Sequence, residues 1–186
     1  NIKEPTMDIK LVLDSPVPNI INAINKSPIK KVMKGIFDEM KGEGPGKLAA
    51  QLQIPLKDEE NILFNGIYEF QGSSLINNAL GMPKISNIIG KIEFDQDDIK
   101  INGAVANLSG SPITIALSNI KNITQINIDG IINQGFIRLA LGENWGHNIS
   151  GEATWSGELK ITNKATDIKI KSTLNGLGLN LPSPFG

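Results

Sequence analysis

The sequence lacks cysteine and has little of the chemistry on which most enzymes depend. Its 186 residues include no Cys and a single His, His147. Without Cys there can be no disulfides, thiolate metal ligands or cysteine nucleophiles. One His cannot supply the His ligands of a zinc site, and no Gly-x-Ser-x-Gly turn accompanies it. We therefore expect no enzyme activity, no cofactor and no metal site, and we place His147 in a solvated loop.

The sequence also has no excess of either charge and no long hydrophobic run. Lys and Arg number 18, Asp and Glu number 19, and the formal net charge is −1. A protein that binds nucleic acid through its phosphates needs a basic surplus, so nucleic acid is not an expected partner. Because no run of about 18 apolar residues occurs, no segment is expected to span a membrane.

Two polar segments superficially resemble ligand-binding motifs. The segment Gly42–Lys47 has too few residues between its outer glycines for a phosphate-binding loop, and no Ser or Thr follows its Lys. Asp95, Asp97 and Asp98 cluster like calcium ligands, but the Gly and the closing Glu of an EF-hand loop are missing. For the aspartates, an acidic β-turn is the favoured interpretation.

What the sequence does contain is a recurrent alternation of apolar and polar residues. From 149 to 161 every odd position is apolar or Gly and every even position is polar or charged. Shorter runs of the same kind occur at 7–13, 48–56, 92–94, 99–101, 113–117 and 126–128. A period of two places side chains on alternate faces of a strand. Since parallel crossovers need a dozen or more residues and the spacing here is short, the pattern predicts an antiparallel meander.

Three segments depart from the period of two. Apolar residues at helical spacing predict an amphipathic helix over 28–41. A shorter turn of helix is predicted after Pro18, and a further short helix from Asn133 to Leu141. We therefore expect a fold that is mainly β with minor α, with a helical insert at about 18–42.

Several short segments resemble those of a known family when they are taken in order. Ser172–Gly186 has the form S-x-L-x-G-L-x-L-x-L-P-x-P-x-G. Upstream, Gly90–Phe94 has the form G-x-[IL]-x-F, Leu108–Pro112 contains a G-x-P block, and Gly151–Trp155 has the form G-x-A-x-W. This order resembles that of the AsmA-like envelope proteins, in particular the YhdP branch, over about residues 45–186.

The resemblance implies a fold and a function. It implies a curled antiparallel sheet, a half-pipe or β-taco with an apolar inner groove, and here an amphipathic helix would pack at one end. It implies a non-enzymatic periplasmic module that shelters phospholipid acyl chains during transport between the inner and outer membranes, and so supports outer-membrane biogenesis and envelope integrity. We expect residues 1–186 to be one domain, an internal or C-terminal piece of a parent protein anchored in the inner membrane of a Gram-negative bacterium.

The apolar positions of the alternating runs are the candidates for the lining of the groove. The same residues fit a closed core between sheet and helix equally well. The module would then be a structural or protein-interaction part of the envelope, pairing through its sheet edges with neighbouring repeats of the parent protein. The candidate residues are Ile92, Phe94, Ile99, Ile101, Ile113, Ile115, Ile126, Ile128, Trp155 and Leu159.

Overall fold

The computed structural model describes residues 5–27, 30, 38–57, 62–78, 82–120, 123–143, 147–162 and 165–180. In chain order its strands and helices are β1 (Thr6–Asp14), α1 (Val17–Asn25), β2 (Met40–Glu43), β3 (Gly46–Pro55), β4 (Leu63–Asn77), β5 (Met82–Asp95), β6 (Ile99–Leu108), β7 (Ser111–Ile120), β8 (Ile123–Ile132), α2 (Gln134–Leu141), β9 (Ile149–Gly151), β10 (Ala153–Ile161), β11 (Thr166–Ser172) and β12 (Leu177–Leu179).

Ten strands form one antiparallel sheet that follows the order of the chain. Its path is β1-β3-β4-β5-β6-β7-β8-β10-β11, and β2 pairs with the last part of β4. β1 and β11 are the edges of this path, and in the described part of the chain they do not pair to close a barrel. β9 and β12 form a separate two-stranded ribbon. The predicted fold, mainly β in an antiparallel meander with minor α, is confirmed.

One face of the sheet, the inner face, is apolar from edge to edge. Directly opposed residues of antiparallel strands share a face, so the pairings can be followed across the sheet. With strands about 4.8 Å apart, a row across nine strands is about 38 Å long. The row that we call the inner row consists of Leu13, Leu48, Tyr68, Ile92, Ile101, Leu117, Ile126, Leu159 and Ile168.

The opposite, outer face is mostly polar over β7, β8, β10 and β11. Asn127, Glu158 and Lys169 form one outer row. Nζ of Lys160 lies 2.8 Å from Oε1 of Glu158. This hydrogen bond lowers the pKa of the Glu158 carboxyl, and the charges of Lys169 and Lys171 lower it further. The alternation of apolar and polar residues therefore separates a dry face from a wet one.

The two described helices lie at the same end of the strands. α1 follows β1 and α2 follows β8, and these two strands run in the same direction within the antiparallel path. The buried residues of α1 pack into the same apolar cluster as the inner face. The helix predicted after Pro18 is confirmed as α1, and the one predicted from Asn133 to Leu141 is confirmed as α2.

Most of the helix predicted over 28–41 lies outside the described residues, but its predicted end is wrong. Asp38 and Glu39 form a turn, and Met40 begins β2. β2 pairs with Ser74–Asn77 of β4. The cross-strand partner, which is distant in sequence, overrides the local helical spacing at this position.

The single strand predicted over 149–161 is divided in the structure. β9 and β10 belong to different sheets, and Gly151 at the end of β9 has a φ of 79°. Glu152 donates its backbone N–H to the carbonyl of Gly176 at 3.1 Å, away from the main sheet. The alternation of apolar and polar residues continues through this break. A period of two therefore does not reveal that the chain passes from one sheet to another.

Candidate functional site

All ten residues predicted for the groove lie on the inner face, although that placement does not show that they contact lipid. Four belong to the inner row, namely Ile92, Ile101, Ile126 and Leu159. Of the others, Ile115 pairs with Ile128, Phe94 pairs with Ile99 nearer one end of the strands, and Ile113 and Trp155 flank Gly130 nearer the other.

An apolar cavity of about 130 Å³ lies between α1 and the inner face. Six of the ten predicted residues line it, and the described lining residues are all aliphatic, aromatic or Met. α1 supplies one wall through Val17, Ile20, Ile21 and Ile24, each of which is at least nine-tenths buried. The space between α1 and the inner face is therefore lined by hydrocarbon, and we call it the chamber. We call the whole inner face, including the chamber, the trough.

Among the described residues that line the cavity, Tyr68 carries the only side-chain oxygen or nitrogen, and that atom is engaged elsewhere. Its hydroxyl donates a hydrogen bond of 2.7 Å to the carbonyl of Ser15, which precedes α1. Its side chain is fully buried, and this burial raises its pKa to about 12 because the charged phenolate is poorly solvated there. The hydroxyl thus fixes the start of α1 against β4 and leaves the ring to face the chamber.

Aromatic rings lie over glycines on the inner face. Gly66 is paired with Phe94, and a Cβ on this glycine would lie 2.6 Å from Cζ of the phenylalanine. Gly130 is paired with Trp155, and a Cβ there would lie 2.7 Å from Nε1 of the indole. Because no larger residue fits beneath the rings, glycine at these positions lets the rings lie close to the sheet and keeps the wall of the trough smooth.

α2 contributes a second cover near Trp155. Asn133 caps this helix by accepting the N–H of Phe136 at 3.0 Å, and its side-chain oxygen also accepts the hydroxyl of the fully buried Ser111 at 2.7 Å. The rings of Phe136 and Trp155 have centroids 5.4 Å apart. Two short helices, each fixed by a hydrogen bond to a sheet-side residue, therefore cover parts of one trough.

The inner face continues beyond the chamber to the edge at β11, where it is open to solvent. Ile168 and Ile170 lie on this face opposite Leu159 and Gly157. They are 69% and 68% exposed. Isolated exposed isoleucines are ordinary, but Ile168 is the last member of the inner row and Ile170 lies beside it on the same face. The trough is therefore closed under α1 and open along its β11 side.

Several lining residues were missed by the sequence reasoning. Tyr68 and Phe70 on β4, and Ile85 and Ile88 on β5, line the chamber but belong to no predicted run. A signal was present on β4, where Phe64, Tyr68 and Phe70 alternate, but the outward-facing Ile67 obscured it. The spacing of Ile20, Ile21 and Ile24 predicted the helix but not the strands on which it packs, since the packing of a helix on distant strands is not encoded locally.

The aspartate cluster and His147 each have the local structure that the sequence predicted. Oδ1 of Asp95 accepts the backbone N–H groups of Asp97 and Asp98, each at 2.8 Å, which confirms the interpretation of an acidic turn. His147 is exposed in a turn, as expected. Among the described residues no group of three or more His, Asp or Glu side chains is placed to hold a metal ion.

These features define a class: an open antiparallel sheet whose inner face is an apolar trough partly covered by short helices. A family model described as YhdP protein matches residues 1–186. The chain belongs to the YhdP family, as the resemblance predicted, and this is a family of envelope proteins. Membership suggests a role in envelope lipid transport. No curated protein and no solved structure matches the chain.

Neither of the two described helices meets the requirements for crossing a bilayer. No helix in the described ranges is both long enough and apolar enough to do so.

Proposed function

We propose that this chain is a non-enzymatic periplasmic module that shelters phospholipid acyl chains in the trough during their transport between the inner and outer membranes. The observation that carries the proposal is the continuity of the apolar surface. The hydrocarbon-lined chamber under α1 leads along the inner row to the exposed Ile168. A lipid tail moving along this row would remain against hydrocarbon while its headgroup remained in water.

The energetics favour a continuous surface over a single pocket. Exposing an acyl chain of about 16 carbons to water costs on the order of 12 kcal/mol, at about 0.8 kcal/mol per CH₂. An acyl chain spans about half of a hydrocarbon core roughly 30 Å thick. The inner row, at about 38 Å, is long enough to cover such a chain along its whole length.

The chamber must open for a tail to enter it. Its volume of about 130 Å³ is below the roughly 300–1,000 Å³ of ordinary ligand pockets. α1 supplies one wall, so movement of α1 away from the sheet is the simplest way to enlarge it. In this mechanism the isoleucines of α1 fill the trough when it is empty and are displaced by hydrocarbon when it is loaded.

Photo-crosslinking from inside the trough tests this proposal. A photoreactive amino acid at Ile115 or Ile126 should crosslink to copurified or added phospholipid, because both side chains line the chamber. The matched control is Thr114, which neighbours Ile115 on β7 but is exposed on the outer face. Native mass spectrometry of the purified protein gives an independent reading of bound lipid.

The expected result is lipid adducts from positions 115 and 126 and few from 114. Equal adducts from all three positions would indicate non-specific contact with lipid and would contradict the proposal. So would a preparation, in the context of the parent protein, that never carries lipid or crosslinks to it.

A structural module of the envelope is the second candidate, and the small chamber is the observation that favours it. In that case α1 and the inner face form a closed core, and the sheet edges pair with neighbouring repeats of the parent protein. Pull-down of such repeats without any lipid adduct from positions 115 or 126 would decide for this candidate.

A further inference from the structure

The indole N–H of Trp155 has no hydrogen-bond partner although it is buried. The residue lies on the inner face and is 7% exposed, and its Nε1 finds no acceptor in the described part of the chain. A buried indole N–H is normally bonded, because an unbonded one retains the cost of its desolvation. A group of this kind at the wall of the trough is a candidate for binding the polar part of a ligand.

The indole lies flat on the sheet across two glycines. A Cβ on Gly157 would be 2.9 Å from Cζ3 of the indole, and a Cβ on Gly130 would be 2.7 Å from its Nε1. The ring therefore extends from Gly157 on β10 to Gly130 on β8, with its N–H end at Gly130. The next residue in this row is Ile113 of β7, which is paired with Gly130. The N–H end is thus directed along the inner face, where Gly130 and Ile113 offer it no side-chain acceptor.

Trp155 lies close to the end of the strands at which α2 begins. It is the third residue of β10, and its partner Gly130 is two residues before β8 ends at Ile132. At about 3.4 Å per residue, the indole is about 7 Å from this end, and its N–H points toward it because Gly130 is nearer to it than Gly157. In the other direction the inner face continues through Ile128 into the chamber. Tryptophan takes such positions at membrane interfaces, where its ring lies between hydrocarbon and water.

We propose that the indole N–H of Trp155 binds the ester carbonyl of a phospholipid whose acyl chain lies in the trough. This inference rests on the proposed function and assigns the lipid a polar contact. The ester carbonyl is the acceptor at the head of an acyl chain, so a donor near the strand ends fixes how far the chain enters. The phosphate and headgroup, a few bonds further on, then reach water. Trp155 thereby favours acyl esters over alkyl ethers, which have no carbonyl.

Phe136 of α2 packs against the indole and must move to let the carbonyl approach. The centroids of the two rings are 5.4 Å apart. Asn133 holds both the backbone N–H of Phe136 and the hydroxyl of Ser111, so rotation of the Phe136 side chain uncovers the indole with α2 still attached. The empty protein leaves the N–H unbonded, and the lipid supplies its acceptor. This hydrogen bond therefore favours the loaded state over the empty one.

Asn119 and Thr124 also have unpartnered buried oxygens, but they face each other. Oδ1 of Asn119 on β7 and Oγ1 of Thr124 on β8 lie at the opposite end of the strands. The two residues are directly paired, so a side-chain rotation can bring the threonine hydroxyl to the amide oxygen. The pairing thus gives these two atoms a partner within reach. Gly130 and Ile113 give the indole none.

Ester and ether lipids of equal size test the proposal. The probes are diheptanoyl phosphatidylcholine and its diheptyl ether analogue, each below its micelle concentration and titrated into the full chain by calorimetry. The unsubstituted chain should bind the ester about fivefold more tightly, the effect of one hydrogen bond. Trp155→Phe (W155F) keeps an aromatic ring but has no donor, so it should bind the two lipids equally.

The matched control is F94L. Phe94 also lies over a glycine of the inner face, Gly66, but it lies at the opposite end of the strands and carries no polar side-chain atom. This variant changes the apolar surface alone. The fivefold preference for the ester should therefore remain, even if both lipids bind more weakly.

Nuclear magnetic resonance observes the indole N–H directly. The chain has two Trp residues, and the indole N–H signal that W155F removes belongs to Trp155. This signal should move downfield on saturation with the ester lipid, because a hydrogen bond to the carbonyl deshields the proton. Saturation with the ether lipid should move it less.

The outcomes separate this inference from the proposed function. Equal binding of ester and ether by the unsubstituted chain would overturn the role of Trp155 while the trough proposal stands. So would an ester preference that persists in W155F or that is lost equally in F94L. Binding of neither lipid by the unsubstituted chain would contradict the proposed function and this inference with it. Should W155F fail to fold, the comparison of ester with ether on the unsubstituted chain decides alone.

Discussion

Tyr68 connects the hydrocarbon chamber to the backbone at the start of α1. Its ring lines the cavity, while its hydroxyl donates to the carbonyl of Ser15. Ser15 is itself buried and donates its N–H to the carbonyl of Gly46 at 2.9 Å. If the carbonyl of Ser15 lost this donor, it would remain buried without a hydrogen bond and would carry the full free-energy cost of its desolvation. Removing the hydrogen bond therefore costs more stability than the bond itself contributes.

The ionisation of Tyr68 should be measurable without interference, because the chain contains one tyrosine. Alkaline titration of tyrosinate absorbance should give a pKa of about 12 in the folded protein, against about 10 for an exposed tyrosine. Above pH 10 the unfolded chain releases this proton and the folded one retains it. The free energy of unfolding is therefore at its full value below pH 10 and falls as the pH rises toward 12.

The variant Y68F provides the control for this pH dependence. It removes the ionisable group, so the Tyr68-dependent part of the decline above pH 10 should disappear. Below pH 10 it should be about 1–3 kcal/mol less stable, since the carbonyl of Ser15 loses its donor. A tyrosine that titrates normally near pH 10 would contradict the burial on which this argument depends.

At the residue scale, the sequence was a good guide to the face on which a side chain lies but not to its partner. The ten groove candidates share one face because the period of two is unbroken within each predicted run, and the register shifts of β5 and β6 lie outside the runs at 92–94 and 99–101. The pairing of Gly130 with Trp155, however, depends on the register between β8 and β10. Register arises from contacts between strands, and so it is not visible in either strand alone.

At the scale of elements, α1 is too short to be stable by itself and depends on its packing against the sheet. An isolated helix of 9 residues is marginal in water, so its stability comes from the side chains that it buries. Val17, Ile20, Ile21 and Ile24 provide one apolar stripe, and its exposed residues include Asn22. The stripe explains why the helix lies in the trough and not on the outer face.

Shortening one side chain of this stripe should loosen the cover. The variant I24A is expected to lower the free energy of unfolding by about 2–4 kcal/mol, through lost burial and an enlarged cavity. The variant N22A, on the exposed side of the same helix, should change it by less than about 0.5 kcal/mol. Urea unfolding of both variants measures the difference. Equal effects of the two would show that α1 does not rest on its apolar stripe.

The strands also show where local patterns stop being informative. β1 and β3 coincide closely with the alternating runs at 7–13 and 48–56, and the shorter runs at 99–101 and 113–117 lie within β6 and β7. β2 was predicted as part of a helix, and its strand conformation depends on a partner more than 30 residues away in β4. The division of 149–161 depends in the same way on Gly176, which lies beyond β11.

At the scale of the whole molecule, the sheet has one apolar face that is only partly covered. Helices cover it at one end of the strands, and the β11 side is exposed. Anything that binds this face and not the unfolded chain will stabilise the protein by mass action. The trough proposal therefore makes a thermodynamic prediction that is independent of crosslinking.

A short-chain phospholipid below its micelle concentration should raise the melting temperature. At a free concentration of about 100 times the dissociation constant the gain is about 2.7 kcal/mol, and each kcal/mol corresponds to about 2–4 °C in a chain of this size. The matched control is the same headgroup without acyl chains, which should give no shift. A shift from the headgroup alone would mean that the lipid binds outside the trough.

The path of the sheet crosses nine strands, and this odd number gives it a polarity. β1 and β11 run in the same direction, so identical sheets placed in tandem, β11 against β1, would meet through parallel ladders, which are slightly weaker per residue. They would also keep α1 and α2 on one rim throughout. One further strand between two such sheets would keep every ladder antiparallel and would leave the helix-covered ends of both sheets on the same rim.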